Sequence, residues 1–265
     1  MFKFCSLYSG SSGNSLFIET PNTKILIDAG ESAKKIETAL NEIQVDVHDI
    51  DAILVTHEHS DHIKGLGTLT KKFHLPVYAN RETWEAMPEV LEKVQEENKN
   101  LFHIDENFDV GELKIQAFPI PHDAANPCGF NIYYKDQKIS IATDLGHMDS
   151  HIIKNLEESS FILLESNYDP NILKCSRYPY SLKQRIAGPN GHLSNEAAGK
   201  TISYLMKCGL QNVMLGHLSK ENNFPELAYK TVIDELCTQS FDENAIKISV
   251  ANRSMPSPVL NLENN

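Results

Sequence analysis

The sequence predicts an α+β fold in which two mixed sheets pack face to face with helices outside. Three observations predict it. Strand-like runs open the chain, units of strand and helix follow, and then strands and a second set of strand–helix units repeat the pattern. No linker separates these halves, and no tandem repeat is evident. The 265 residues, 41% apolar and 23% charged, suit a large globular domain. We expect a single domain over 1–253 and a loose tail over 254–265, where prolines and asparagines gather.

Each element has a local reason. Residues 2–8 read as a strand, and the run Ser9-Gly-Ser-Ser-Gly-Asn-Ser15 as a tight turn. Strands at 16–19 and 24–28 are joined by a turn at Pro21-Asn22. Gly30 closes the second, and Ile36, Leu40 and Ile43 then share a helical face. Residues 51–56, short, apolar and partly β-branched, read as a buried strand. Ile63, Leu66 and Leu69 recur at helical spacing, and that helix reaches about Phe73. A strand at 76–79 precedes a helix over about 81–98, with Trp84, Met87, Val90, Leu91 and Val94 inward and Pro88 as its kink or break. A hairpin over 108–120 turns at Gly111, and a second joins strands 130–134 and 138–142. A helix near 150–156 leads to the buried strand 161–164. Residues 167–191 are irregular or short-helical. Ser194 then caps a helix to Cys208 that Gly209 terminates. A strand at 213–215, a helix at 225–237 and a strand at 245–250 complete the order.

Composition narrows the class. No run approaches the roughly 20 apolar residues of a membrane helix. The opening apolar run is too short for a signal peptide, so we expect a cytoplasmic protein. Five scattered cysteines without a Cys-x-x-Cys pair argue against a disulfide framework and against a cysteine zinc site. The formal net charge of −12 repels nucleic acid unless positive charge is local. A pair of divalent ions is one local source.

The densest chemistry lies in Thr56-His57-Glu58-His59-Ser60-Asp61-His62, between a strand's carboxyl end and a helix start. Imidazole and carboxylate are ligands that suit Zn²⁺, Mn²⁺ or Fe. Other strand ends supply further candidates. His122 follows the run 116–121, Asp144 follows 139–143, and His217 follows 213–215. His192 lies just ahead of a helix, so the chain writes Gly-His-Leu-Ser twice, at 191–194 and 216–219.

Thr56-His-x-His-x-Asp-His62 followed by His122, Asp144 and His217 resembles the metal-ligand series of the metallo-β-lactamase superfamily. Ile25-Leu-Ile-Asp-Ala-Gly30 resembles its strand before the metal loop. The turn at 9–15, the run 56–65, Pro121-His-Asp-Ala124 and the run 216–223 resemble the YycJ/WalJ branch, across nearly the whole chain. That branch is similar to RNase Z and the PhnP-type phosphodiesterases in ligand order. The resemblance implies a four-layer αβ/βα sandwich with two divalent metal ions per chain, Zn or Mn and also Fe. It implies that His57, His59 and His122 hold one ion, that Asp61, His62 and His217 hold the other, and that Asp144 bridges. Asp28 would orient a ligand. Catalytic roles would fall to Asp61 as a proton acceptor and to His192, at the scissile phosphate or the leaving oxygen, with Glu165 orienting His192.

The substrate side rests on less. Residues 171–195 contain no Asp or Glu but carry Lys174, Arg177, Lys183 and Arg185, with Tyr178 and Tyr180 between. Cations meet phosphates and tyrosines stack on bases. Ser12 and Asn14 are further candidates for phosphate contact. The branch implies 5′→3′ DNA exonuclease activity and a DNA-repair role, with DNA favoured over RNA. The alternatives are an RNA-processing nuclease or a small-molecule phosphodiesterase of the same fold. A non-catalytic binding module of this fold would be expected to have lost ligands, whereas all seven are present.

Overall fold

Two units make up the chain: residues 1–119 with 124–136 and 252–265, and residues 120–123 with 137–251. The computed structural model describes residues 1–239 and 245–262.

The first unit opens with strands β1 (Lys3–Tyr8), β2 (Ser15–Glu19) and β3 (Lys24–Ile27), then helix α1 (Ala33–Glu42) and strand β4 (Ala52–Leu54). Helices α2 (Ser60–Ile63) and α3 (Leu66–Phe73) precede β5 (Val77–Ala79), α4 (Arg81–Ala86), α5 (Pro88–Leu91) and β6 (Lys99–Leu101). Strands β7 (Asn107–Val110), β8 (Leu113–Pro119) and β9 (Cys128–Tyr134) form an antiparallel set.

In the second unit, β10 (Gln137–Ala142), α6 (Ser150–Leu156) and β11 (Phe161–Glu165) come first. Helices α7 (Pro170–Cys175), α8 (Tyr180–Ile186) and α9 (Asn195–Lys207) lead to β12 (Asn212–Gly216), α10 (Pro225–Thr238) and β13 (Lys247–Val250). β10, β11, β12 and β13 pair in that order, all parallel. Back in the first unit, β14 (Leu260–Asn261) pairs antiparallel with β1.

The first unit's sheet therefore runs β14-β1-β2-β3-β4-β5-β6, antiparallel through β3 and parallel beyond it. Ile36 and Leu40 of α1 and Leu66 and Leu69 of α3 cover this sheet, against Leu7, Phe17, Leu26 and Ile53. Each such side chain stabilises by roughly 1.5–3 kcal/mol when fully buried.

Three expectations change. The helix predicted over 81–98 breaks at Met87-Pro88, because a proline ring cannot follow a helical residue without a clash. Residues 99–101, to which the sequence reading gave no element, form β6. The helix after the histidine loop also divides, at Gly65. The tail expected to be loose from 254 is tied to β1: Leu260 pairs with Phe4, and the Ser257 and Leu262 amides donate to the Ser6 and Phe2 carbonyls. Its apolar Leu262 is buried, which ordinary tail composition does not advertise. Residues 263–265 lie outside the described residues.

The strand ends position the chemistry. Asp28 follows β3, and the histidine loop follows β4. Asp144 follows β10, Glu165 ends β11 and His217 follows β12.

Candidate metal centre

In the first unit, Asp28 is the organising group. It is buried and its backbone is left-handed, at φ 62°. Only a surrounding structure that over-determines the position holds a non-glycine residue there, and such residues gather at functional sites. Its Oδ1 accepts from the Thr56 amide at 2.9 Å. Its Oδ2 accepts from the Thr56 hydroxyl and from His62 Nδ1, both at 2.8 Å. With the hydroxyl proton on Asp28, Thr56 Oγ1 accepts from His57 Nδ1 at 3.0 Å. One carboxylate thus sets the tautomer of two imidazoles, directly for His62 and through Thr56 for His57. The His57 ring lies 4.6 Å from that of His59 and 4.1 Å from that of His62. Asn14 closes the group: its side-chain amide lies 3.0 Å from His62 Nε2 and 3.4 Å from Asp61 Oδ2. The backbone fixes the register of the loop, with the Asn14 amide on the Asp61 carbonyl and the Ala29 amide on the His62 carbonyl. Gly30 is required here, since a Cβ would overlap the carbonyl oxygen of Asp61.

Glu165 is the counterpart in the second unit, and it is fully buried. Its Oε1 accepts from His217 Nδ1 at 2.7 Å and from His192 Nδ1 at 2.9 Å. Its Oε2 accepts from the Leu145 and Leu193 amides at 2.9 and 3.0 Å. Asp144 and His217 both have left-handed backbone, at φ 59° and 54°. Asp144 Oδ1 lies 3.3 Å from His217 Nδ1 and 3.7 Å from His122 Nε2. Donor atoms of Asp144, Glu165, His192 and His217 fall within 4.8 Å of one another. His122 Nδ1 donates to the Gly191 carbonyl at 3.1 Å.

Charge follows from this geometry. Burial pushes the Glu165 carboxyl up, but the charges and hydrogen bonds of His192 and His217 outweigh it and hold the group below the usual range. For His192, burial pulls down, and the Glu165 carboxylate more than restores it, to above the ordinary imidazole value. Burial dominates at His122 and lowers it.

This donor set fits divalent metal. Nδ1 of His62, His122 and His217 is engaged with a carboxylate or carbonyl, the arrangement that leaves Nε2 with a lone pair for an ion. Imidazole and carboxylate without thiolate suit Zn²⁺, Mn²⁺ and Fe.

The substrate candidates separate. Lys174, Arg177 and Tyr180 are exposed, Tyr180 to 75%. Lys183 instead donates to the Lys174 and Ser176 carbonyls, and Arg185 pairs with Asp123, so both fasten their own chain. Tyr178 is half-buried, and Ser12 is exposed on its turn. Sequence reasoning gave no role to Thr56, although the opening motif contains it. It also missed Asn167, whose side chain donates to the His217 carbonyl at 2.7 Å and whose amide donates to the Leu193 carbonyl at 2.8 Å. Asn167 thereby ties the two Gly-His-Leu-Ser loops together. Asn223 supports it with a bond to the Asn167 carbonyl. No local pattern marks Asn167.

Residues 23–218 match the model of the β-lactamase superfamily domain. The chain belongs to this superfamily. Its metallo-β-lactamase fold is the αβ/βα sandwich expected from the motifs, and its members are metal-dependent hydrolases. Two relatives place the chain in the YycJ/WalJ branch. The exodeoxyribonuclease WalJ of Streptococcus pneumoniae serotype 2 is 41% identical over 89% of this chain and 88% of its own. The exodeoxyribonuclease YycJ of Bacillus anthracis is 35% identical over 97% of each. Among solved structures, the metallo-β-lactamase fold protein YhfI of Bacillus subtilis covers 97% of this chain at a TM-score of 0.70 and 16% identity. No helix among the described residues is long and apolar enough to cross a membrane.

Proposed function

We propose that this superfamily member is a dinuclear metal-dependent exonuclease that digests DNA from 5′ to 3′ in the cytoplasm, in the service of DNA repair. The bracing of imidazoles by the buried carboxylates Asp28 and Glu165 carries the metal chemistry. The two exodeoxyribonucleases that match over most of the chain support DNA as the substrate.

By the resemblance, His57, His59 and His122 would hold one ion, Asp61, His62 and His217 the second, and Asp144 would serve both. Two divalent ions would supply an activated water at neutral pH and charge stabilisation for the attacking and leaving oxygens of an in-line displacement. The chain's own groups do the rest. Asp61 accepts a proton. His192, held by Glu165, meets the scissile phosphate and protonates the leaving oxygen. Lys174, Arg177 and Tyr180 receive the strand beyond the site, through phosphate contacts and stacking. Asn14 and Ser12 face the phosphate from the opening turn. Chelation followed by single-metal restoration tests this reading. Activity on DNA is lost with chelator and returns with Mn²⁺ or Zn²⁺, and about two equivalents of metal are recovered per chain. Full activity in a protein holding well under one equivalent contradicts it.

A further inference from the structure

Both Gly-His-Leu-Ser runs lead to an asparagine. Asn195 follows the first directly and opens α9, and Asn223 lies beyond the second, just ahead of α10. The two side chains pair. Asn195 Nδ2 donates to Asn223 Oδ1 at 3.0 Å, and Asn223 Nδ2 donates back to Asn195 Oδ1 at 2.8 Å. Both are buried, as are Ser166 and Asn167 beside them. Ser166 Oγ donates to Asn195 Oδ1 at 2.6 Å, and the Phe224 amide donates to Asn223 Oδ1 at 3.0 Å. Asn223 Nδ2 also reaches the Ser166 and Asn167 carbonyls, at 2.9 and 3.1 Å. None of the four side chains is charged. A buried polar network whose members are partnered rigidifies the segments it joins.

The segments joined here are those that carry His192 and His217. Ser166 and Asn167 directly follow Glu165, which braces both imidazoles. His217 directly follows β12, whose Gly216 pairs with Glu165 in parallel register, so the sheet fixes its place. His192 lies outside any strand, between α8 and α9. Glu165 sets the rotation of its ring, and the Asn167 amide holds the Leu193 carbonyl. The loop's exit is Asn195, whose amide donates to the Tyr168 carbonyl and whose side chain is fastened to Asn223. The amide pair therefore ties the exit of the His192 loop to the exit of the His217 loop.

We propose that Asn195 and Asn223 are positioning residues that set where His192 stands relative to His217. The inference rests on the reading of His192 as the group that protonates the leaving oxygen. In that step the P–O bond breaks and the His192 Nε2 proton passes to the departing oxygen. A displaced His192 then slows esters whose leaving group needs the proton more than esters whose leaving group does not. The alkoxide of a nucleotide needs it, whereas 4-nitrophenolate leaves as a stable anion.

The test compares the metal-loaded wild type with Asn195→Leu, Asn223→Leu and the double variant on two diesters, the dinucleotide dTpdT and bis(4-nitrophenyl) phosphate. Leucine keeps the side chain's shape and removes its donor and acceptor; alanine replaces any leucine variant that does not fold. Each single variant should keep both equivalents of metal. Each should lose at least about tenfold more rate on dTpdT than on the aryl diester, within the scale of a misplaced catalytic group. The double variant should lose no more than the larger single loss, because paired residues act as a unit. His192→Ala supplies the reference for a selective loss. Equal losses on the two diesters, loss of metal, or additive losses overturn the positioning role. A selective loss in His192→Ala that neither asparagine variant shows overturns it and leaves the nuclease reading standing. The predicted selective loss, in a protein that digests no longer DNA, sustains the positioning role and overturns the nuclease reading.

Discussion

Glu165 shows most directly how single residues govern this site. Both carboxylate oxygens accept, Oε1 from two imidazoles and Oε2 from two amides. In Glu165→Gln a donating amide must face one of those pairs of donors, so a brace is lost whichever way it turns. Such partners of metal ligands are worth about 10–100-fold. We predict a fall of that size in both metal affinity and kcat, read by metal titration and steady-state kinetics. His192→Ala separates chemistry from binding. It should keep both equivalents of metal and lose about 10²–10⁴-fold in kcat, the range for a general acid. Loss of metal instead would make His192 a ligand. The histidines and Asp144 were legible in the sequence because their spacing and strand-end positions are local. Asn167 was not, because its importance comes only from the distant loops it joins.

Between β3 and α2, elements meet at backbone distance. Gly30 leaves no room for a side chain beside the Asp61 carbonyl. Gly30→Ala should destabilise by about 1–3 kcal/mol as an overpacked site does, seen as a lower thermal midpoint, together with weakened metal binding. Elsewhere, Lys138 at the start of β10 donates to the Asn155 and Glu157 carbonyls at the end of α6. Burial there lowers its pKa to about 8 from the ordinary 10.5. Between those values the unfolded chain binds the proton that the folded chain has lost, so stability rises as pH passes upward from about 8. Denaturant titrations at pH 7 and pH 9 should show this gain in the wild-type protein relative to Lys138→Met. An equal difference at both pH values contradicts it. Periodicity revealed the long helices and buried strands. It did not reveal β6 or β14, which are too short for any period and exist through the pairing of neighbouring strands.

At the scale of the whole molecule, a net charge of −12 must coexist with a polyanionic substrate. Positive charge available to DNA is therefore local, and two of the four cations in the basic segment are occupied internally. Few phosphate contacts give a shallow salt dependence, since each contributes a slope of about 0.7–0.9. The log of affinity for DNA against log salt should fall with a slope of about −3 or shallower, and Arg177→Ala should flatten it by about one contact. A steep slope that Arg177→Ala leaves unchanged would place the strand elsewhere. The fold class itself was visible in the alternation of strand and helix and in the ligand motifs. The central claim is metal-dependent digestion of DNA from the 5′ end by the ligand set around His59 and Asp61. Its most direct test is digestion of 5′- and 3′-end-labelled single- and double-stranded DNA with Mn²⁺ or Zn²⁺, by wild-type protein, His59→Ala and Asp61→Ala. The account predicts immediate release of the 5′ label as mononucleotide by the wild type and no cleavage by either variant; cleavage by either variant at the wild-type rate, or release of the 3′ label first, would contradict it.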